Sequence, residues 1–267
     1  MLRELSALLR GAPEDLRSWI DQPDAAKLRL CIAVIVAGFG VYGLTTGLWR
    51  APLMGLFVAI KMPSLIFLTL ICNGLLNGML GLLLGSGLGF RQSLMAQLVG
   101  FAIAAMVLGS IAPVTFFMAL NAPEADAPNA GTAHTNFLVT HTLLIAFAGV
   151  IANLHLAKVL IATTPTRKIA AMTLGAWLAG NAFVGAQFSW ILRPFFGTPT
   201  MKVAFFREDP FNGTFYEVVW NSMDKASGGN GIIVLLCAAA ILVWLHLPVL
   251  QLLFPTPHQP QIKPIEP

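Results

Sequence analysis

Six apolar runs constrain this chain more than anything else in it. They lie near residues 30–49, 63–88, 94–120, 137–162, 169–193 and 231–254. Each can cross about 30 Å of hydrocarbon at about 1.5 Å per helical residue. Hydrocarbon offers backbone amides no water, so a spanning segment must be a helix or a strand of a closed barrel. The runs are continuously apolar and do not alternate, which argues against barrel strands. The expected fold is all-α: a polytopic transmembrane helix bundle of about six spans, occupying 30–254.

Composition says the same from the outside. Of the 267 residues, 57% are hydrophobic and 10% charged, against about 25% charged in soluble domains. The net charge of +4 is spread over several loops and marks no nucleic-acid surface. Cys31, Cys72 and Cys237 lie far apart in apolar segments and read as small buried hydrophobes.

Residues 1–29 are polar and mixed in charge, and read as an amphipathic N-terminal segment instead of a cleavable leader. Leu2, Leu5, Leu8 and Leu9 share one helical face, Gly11-Ala12-Pro13 interrupts it, and Leu16, Trp19 and Ile20 resume it. Such a helix lies in the membrane interface, packs on a partner or caps the bundle. The stretch "RAPLMGLFVAIKMP" (50–63), bracketed by Arg50 and Lys61, reads as an interfacial or re-entrant turn. Residues 194–230 form the largest connection, rich in aromatic rings beside charges, and fit a segment at headgroup level. A proline-punctuated tail follows at 255–267. The loop at 121–136 carries acids and no Lys or Arg, so counting cations predicts both termini on the cytoplasmic side of the cell membrane.

All twelve acidic residues fall at 4–24, 124–126, 208–224 or 266, none at mid-span depth. Cation-coupled transporters commonly place carboxylates inside their helices, so that class loses ground. No HExxH, Cys/His cluster, P-loop or GxSxG motif is present, so the sequence suggests no metal, cofactor or enzyme chemistry.

The intramembrane polar residues are few. Asn73 and Asn77 stand one turn apart, beside Gly74, Gly78, Gly81, Gly85 and Gly89 at GxxxG-like spacing, and suit helix–helix packing. "GAQFSWILRPFFGTP" (185–199) sets Gln187, Ser189 and Arg193 into an apolar helix end with Trp190 and Pro194. On a helical wheel Asn181, Gly185, Ser189 and Arg193 share one broad arc, while Gln187 faces elsewhere. Pro194 disfavours helical geometry at Arg193. The stretch reads as a joint fixing the aromatic loop to the bundle, with Arg193 reaching headgroup phosphates or an acid in the loop clamp Arg207, Glu208 and Asp209.

That motif, with "FFRE" at 205–208 and "NGTFYEVVW" at 212–220, resembles an uncharacterised family of bacterial multi-pass membrane proteins. "VAIKMPSLIFLTLICN" (58–73) and "LGSIAPVTFF" (108–117) extend the resemblance over roughly 50–220. The Lys-x-Pro entry is weakly similar to Yip-type helical membrane domains. The resemblance implies a shared helical fold and no site residues. Two functions are then expected: a scaffold or subunit of a membrane complex, with protein partners or further copies of itself, or a channel or transporter for a neutral or anionic solute.

Overall fold

A computed structural model of the chain describes residues 2–198, 201–226 and 229–255. Ten helices follow in order: α1 (Leu2–Arg10), α2 (Pro13–Asp21), α3 (Ala25–Leu48), α4 (Pro52–Leu83), α5 (Phe90–Asn121), α6 (Ala130–Thr163), α7 (Arg167–Ile191), α8 (Phe215–Ala226), α9 (Gly231–Leu245) and α10 (Leu247–Leu253). No strand occurs among the described residues. Helices α3 to α7 are each long and apolar enough to cross a membrane, and α9 with α10 makes a sixth span if the bent pair counts as one. The protein is an all-α polytopic bundle.

The second span starts earlier than the sequence pattern predicts. Residues 50–63 are no separate turn: α4 begins at Pro52 and runs 32 residues through Pro63. Proline is a strong helix breaker in water, but surrounding helices tolerate it in lipid. Pro63 deprives the Ala59 carbonyl of its usual donor, and that oxygen faces the open side of Gly40 on α3. Pro52 at the helix start loses nothing, since its missing N–H would have had no intrahelical partner.

The last span also differs from expectation. It breaks at His246, where α9 and α10 meet at 59°. Pro248 sits in the first turn of α10 and cannot donate to the preceding turn of α9, so the helix divides there. Arg167 ties α10 to the start of α7 through the Leu252 carbonyl at 3.0 Å.

The N-terminal amphipathic helices cap one end of the bundle. Leu8, Leu16, Trp19 and Ile20 are buried, and α1 and α2 rest on α5 and α6. Gly11 makes the joint possible: its φ is +59°, and a Cβ there would lie 1.9 Å from the His155 ring. At the other end, 194–198 and 201–214 are irregular and lead into α8. The tail beyond Pro255 lies outside the described residues, as do 227 and 228 of the glycine-rich exit to α9.

Helix α3 packs closely against both α4 and α5. Its glycines set the spacing. A Cβ at Gly38 would lie 2.2 Å from the Ala105 carbonyl oxygen, one at Gly43 2.6 Å from that of Val58, and one at Gly47 2.7 Å from that of Met54. Backbones that meet this closely gain dispersion contact along their whole length, the usual source of helix association in lipid. The expected glycine seam on α4 is shorter than its spacing suggests. Gly85 lies beyond the helix in a turn at φ +78° and Gly89 caps the start of α5, so only Gly74, Gly78 and Gly81 remain on α4.

Candidate functional site

Two polar constellations stand out, one between the helices and one at the end of α7. The first is built from four carboxamides. Asn73 and Asn77 lie on one face of α4, Gln97 on α5 and Asn181 on α7. Asn181 Oδ1 accepts from Asn73 Nδ2 at 2.9 Å and from Asn77 Nδ2 at 3.1 Å. Asn77 Nδ2 also donates to Gln97 Oε1 at 2.7 Å, and Asn181 Nδ2 reaches the same oxygen at 3.4 Å. The indole of Trp177, almost fully buried, donates to the Asn77 backbone carbonyl at 2.7 Å. Gly180 lets α7 come in: a Cβ there would lie 2.6 Å from Asn73 Nδ2. Asn77 Oδ1 and Ser93 Oγ have no protein partner, which leaves accepting and donating capacity in a place without bulk water.

Beside this cluster is a cavity of about 400 Å³ walled by α4, α5, α6 and α7. Its wall is apolar except for Gln97, Asn153, Asn181 and Thr69, and no ionisable side chain lines it. Phe101 and Trp177 supply aromatic faces. Gly149 on α6 opens onto it with nothing within 4 Å of where a Cβ would stand. Asn153 Nδ2 lies 3.4 Å from His246 Nε2, so the break between α9 and α10 abuts the same wall. A second buried cluster joins α3 to α6, where Tyr42 Oη lies 2.7 Å from His141 Nδ1 and His141 Nε2 is left without a protein partner.

The second constellation is the loop joint at 185–212. Every cation that holds the loop binds backbone carbonyls. Lys61, fully buried on α4, donates to the Pro194 carbonyl at 2.8 Å and lies 4.9 Å from the Phe205 ring centroid. Arg50 reaches the carbonyls of Thr198 at 3.2 Å and Met201 at 2.8 Å. Arg207 donates to the carbonyls of Pro210 and Asn212. Trp190 Nε1 donates to Asn212 as well, at 3.1 Å. Such charge-assisted bonds to carbonyls fix a loop without the matching acids a salt bridge needs.

The residues singled out in the sequence divide accordingly. Asn73 and Asn77 join Asn181, and a Cβ at Gly185 would lie 3.5 Å from Thr69 Oγ1 of α4. Gln187 faces α8, its Oε1 accepting from the Phe215 amide at 3.2 Å. Ser189 bonds only its own helix, at the Ala186 carbonyl. Arg193 lies past the end of α7, its Nε on the Trp190 carbonyl at 3.2 Å and its guanidinium over the Trp190 ring. The expected clamp of Arg193 on Glu208 or Asp209 is not formed, because the indole face holds the guanidinium and both acids are exposed. Of the clamp residues only Arg207 grips the loop.

Sequence reasoning missed Lys61 as an interior residue and placed it at the edge of an interfacial or re-entrant turn. Its signal was a lone lysine inside an apolar stretch that is unbroken once Pro63 is allowed to be helical. Among the described residues no three His, Cys, Asp or Glu side chains converge as a metal site would require. No family model, curated protein or solved structure gives a match to this chain, so every functional reading rests on its own residues.

Proposed function

We propose that this is a multi-pass membrane protein of the channel or transporter class, binding a small uncharged solute in the cavity between α4, α5, α6 and α7. The observation that supports it is the convergence of Gln97, Asn153 and Asn181 on an otherwise apolar cavity of about 400 Å³. Ligand cavities fall in this size range, with few polar groups in an apolar wall. Polar side chains are costly in hydrocarbon and tend to mark functional paths there. Carboxamides both donate and accept but carry no charge, so they match a neutral hydrogen-bonding solute better than an ion. In this reading the chain is no enzyme and carries no cofactor. Its termini lie on the cytoplasmic face of the cell membrane, supported by the lysines and arginines around α1, α2 and the start of α7.

The test is solute-driven swelling of proteoliposomes with glycerol, urea and larger polyols, comparing the native chain with Gly149→Leu. The leucine enters open space on the cavity wall. Swelling that the native chain supports and Gly149→Leu abolishes is the expected result. Swelling equal in both would remove the cavity from the path.

A second reading, a subunit of a membrane assembly, is favoured by α9. Of its 15 residues only Gly231 is buried, and the helix leans on α8 and α10 without entering the bundle. Cys237 is exposed on it. Thiol cross-linking in native membranes, with Cys31 and Cys72 replaced by alanine, should give a discrete adduct at Cys237. A chain that stays uncross-linked would sink this reading.

A further inference from the structure

At the end of α7 two arginines converge on one indole and one groove, with no acid between them. The Arg193 guanidinium carbon lies 3.1 Å from the Trp190 ring centroid and that of Arg207 lies 4.6 Å from it. Both line an open groove of about 710 Å³, together with Ser189, Thr198 and His134. Apart from Thr142, whose hydroxyl is turned onto the Leu138 carbonyl, its remaining wall is apolar, including Leu138 of α6 and Val219 of α8. The groove thus joins a doubly cationic end to an apolar slot.

The two charges are not neutralised from within. Among the described residues neither arginine pairs with a carboxylate; Glu208 and Asp209 are exposed and make no ion pair. Arg207 Nε is buried without a partner, although Nη2 is used on the loop. The Arg193 pKa is lowered by burial and then by the charge of Arg207. Two like charges held together by one aromatic ring repel each other, and a shared anion removes that cost.

We propose that Arg193 and Arg207 form a binding site for a phosphate group, and that its occupant is the headgroup of an anionic phospholipid whose chain lies against Leu138 and Val219. Guanidinium N–H groups match phosphate oxygens in geometry, and a single phosphate can take the two Nη groups of Arg193 together with Nη1 of Arg207, which the loop leaves free. The end of a span is where headgroups lie. A free phosphate would use the arginines alike but leave the apolar slot unused. The site is separate from the carboxamide cavity and stands or falls independently of it.

The test is native mass spectrometry of the detergent-purified full chain with added phosphatidylglycerol, with phosphatidylcholine for comparison. One equivalent of phosphatidylglycerol should bind, and Arg193→Gln/Arg207→Gln should weaken it by about tenfold or more. Lys202→Gln/Lys225→Gln removes the same charge from exposed residues outside the groove and should leave binding intact. Arg193→Lys/Arg207→Lys keeps the charge and should retain part of the affinity, which separates loss of the site from loss of the fold. Millimolar inorganic phosphate that fails to displace the lipid supports the headgroup. Displacement by it keeps the anion site but overturns the lipid as occupant. Binding unchanged in the glutamine pair, or equally lost in the lysine-to-glutamine pair, overturns the site.

Discussion

The two sides of the bundle are built on opposite plans. Around α3 the helices touch backbone to backbone, spaced by Gly38, Gly43 and Gly47, with no room for a methyl group. Between α6 and α7 the same lipid environment leaves a cavity, and Gly149 faces open space. Gly38, Gly43 and Gly47 are there because nothing else fits. Gly149 is not held by sterics, so its missing side chain is free to serve an opening. Close glycine packing, pinned by the buried Thr45–Thr115 and Tyr42–His141 contacts, holds one half together. The other half uses a few carboxamides, which hold helices together at a distance and leave unsatisfied hydrogen-bonding capacity.

Three substitutions test this contrast. Gly38→Leu should have the largest effect, because a backbone oxygen 2.2 Å from the new Cβ cannot rotate away. A loss of about 3 kcal/mol is expected, at the upper end for overpacking, read as the unfolding free energy in detergent. A loss below about 1 kcal/mol would show that α3 and α5 slide freely. Next, Asn77→Leu should cost about 1–2 kcal/mol, since it strips donors from both Gln97 and Asn181. In a double-mutant cycle with Asn181→Leu the two losses should couple; strict additivity would mean the carboxamides act separately. The smallest effect belongs to Gly149→Leu, whose thermal unfolding should match the native chain or rise slightly, as glycine is a poor helix former. A clear loss would mean the cavity is filled in the membrane.

How much of this was legible in the residues depends on what carried the signal. The helices from Phe90 to Ile191 were readable because long apolar runs admit one backbone solution in lipid. The start of α4 was misread, since Pro63 was weighed as if water and not helices surrounded it. The break at His246 left only Pro248 as a trace, and a proline in the first turn of a helix also fits an uninterrupted span near its end. At the site, Asn73 and Asn77 announced themselves by spacing, and the helical wheel separated Gln187 from Arg193. Their partners did not. That Asn181 meets both, that Arg207 returns to Trp190, and that α3 carries the tight seam depend on which helices are neighbours, which periodicity within one helix does not encode.

Lys61 sets a timing problem for the biosynthesis of this chain. Its acceptor, the Pro194 carbonyl, is 133 residues further on. At about 5–20 residues per second the ribosome needs about 7–27 s to deliver it. An ammonium group without an acceptor is expensive in hydrocarbon, so throughout that interval the first turns of α4 must keep Lys61 hydrated. The helix then reaches its final depth only when α7 and the loop behind it arrive, and a nascent chain truncated before residue 194 should leave that end of α4 accessible to water-soluble labels.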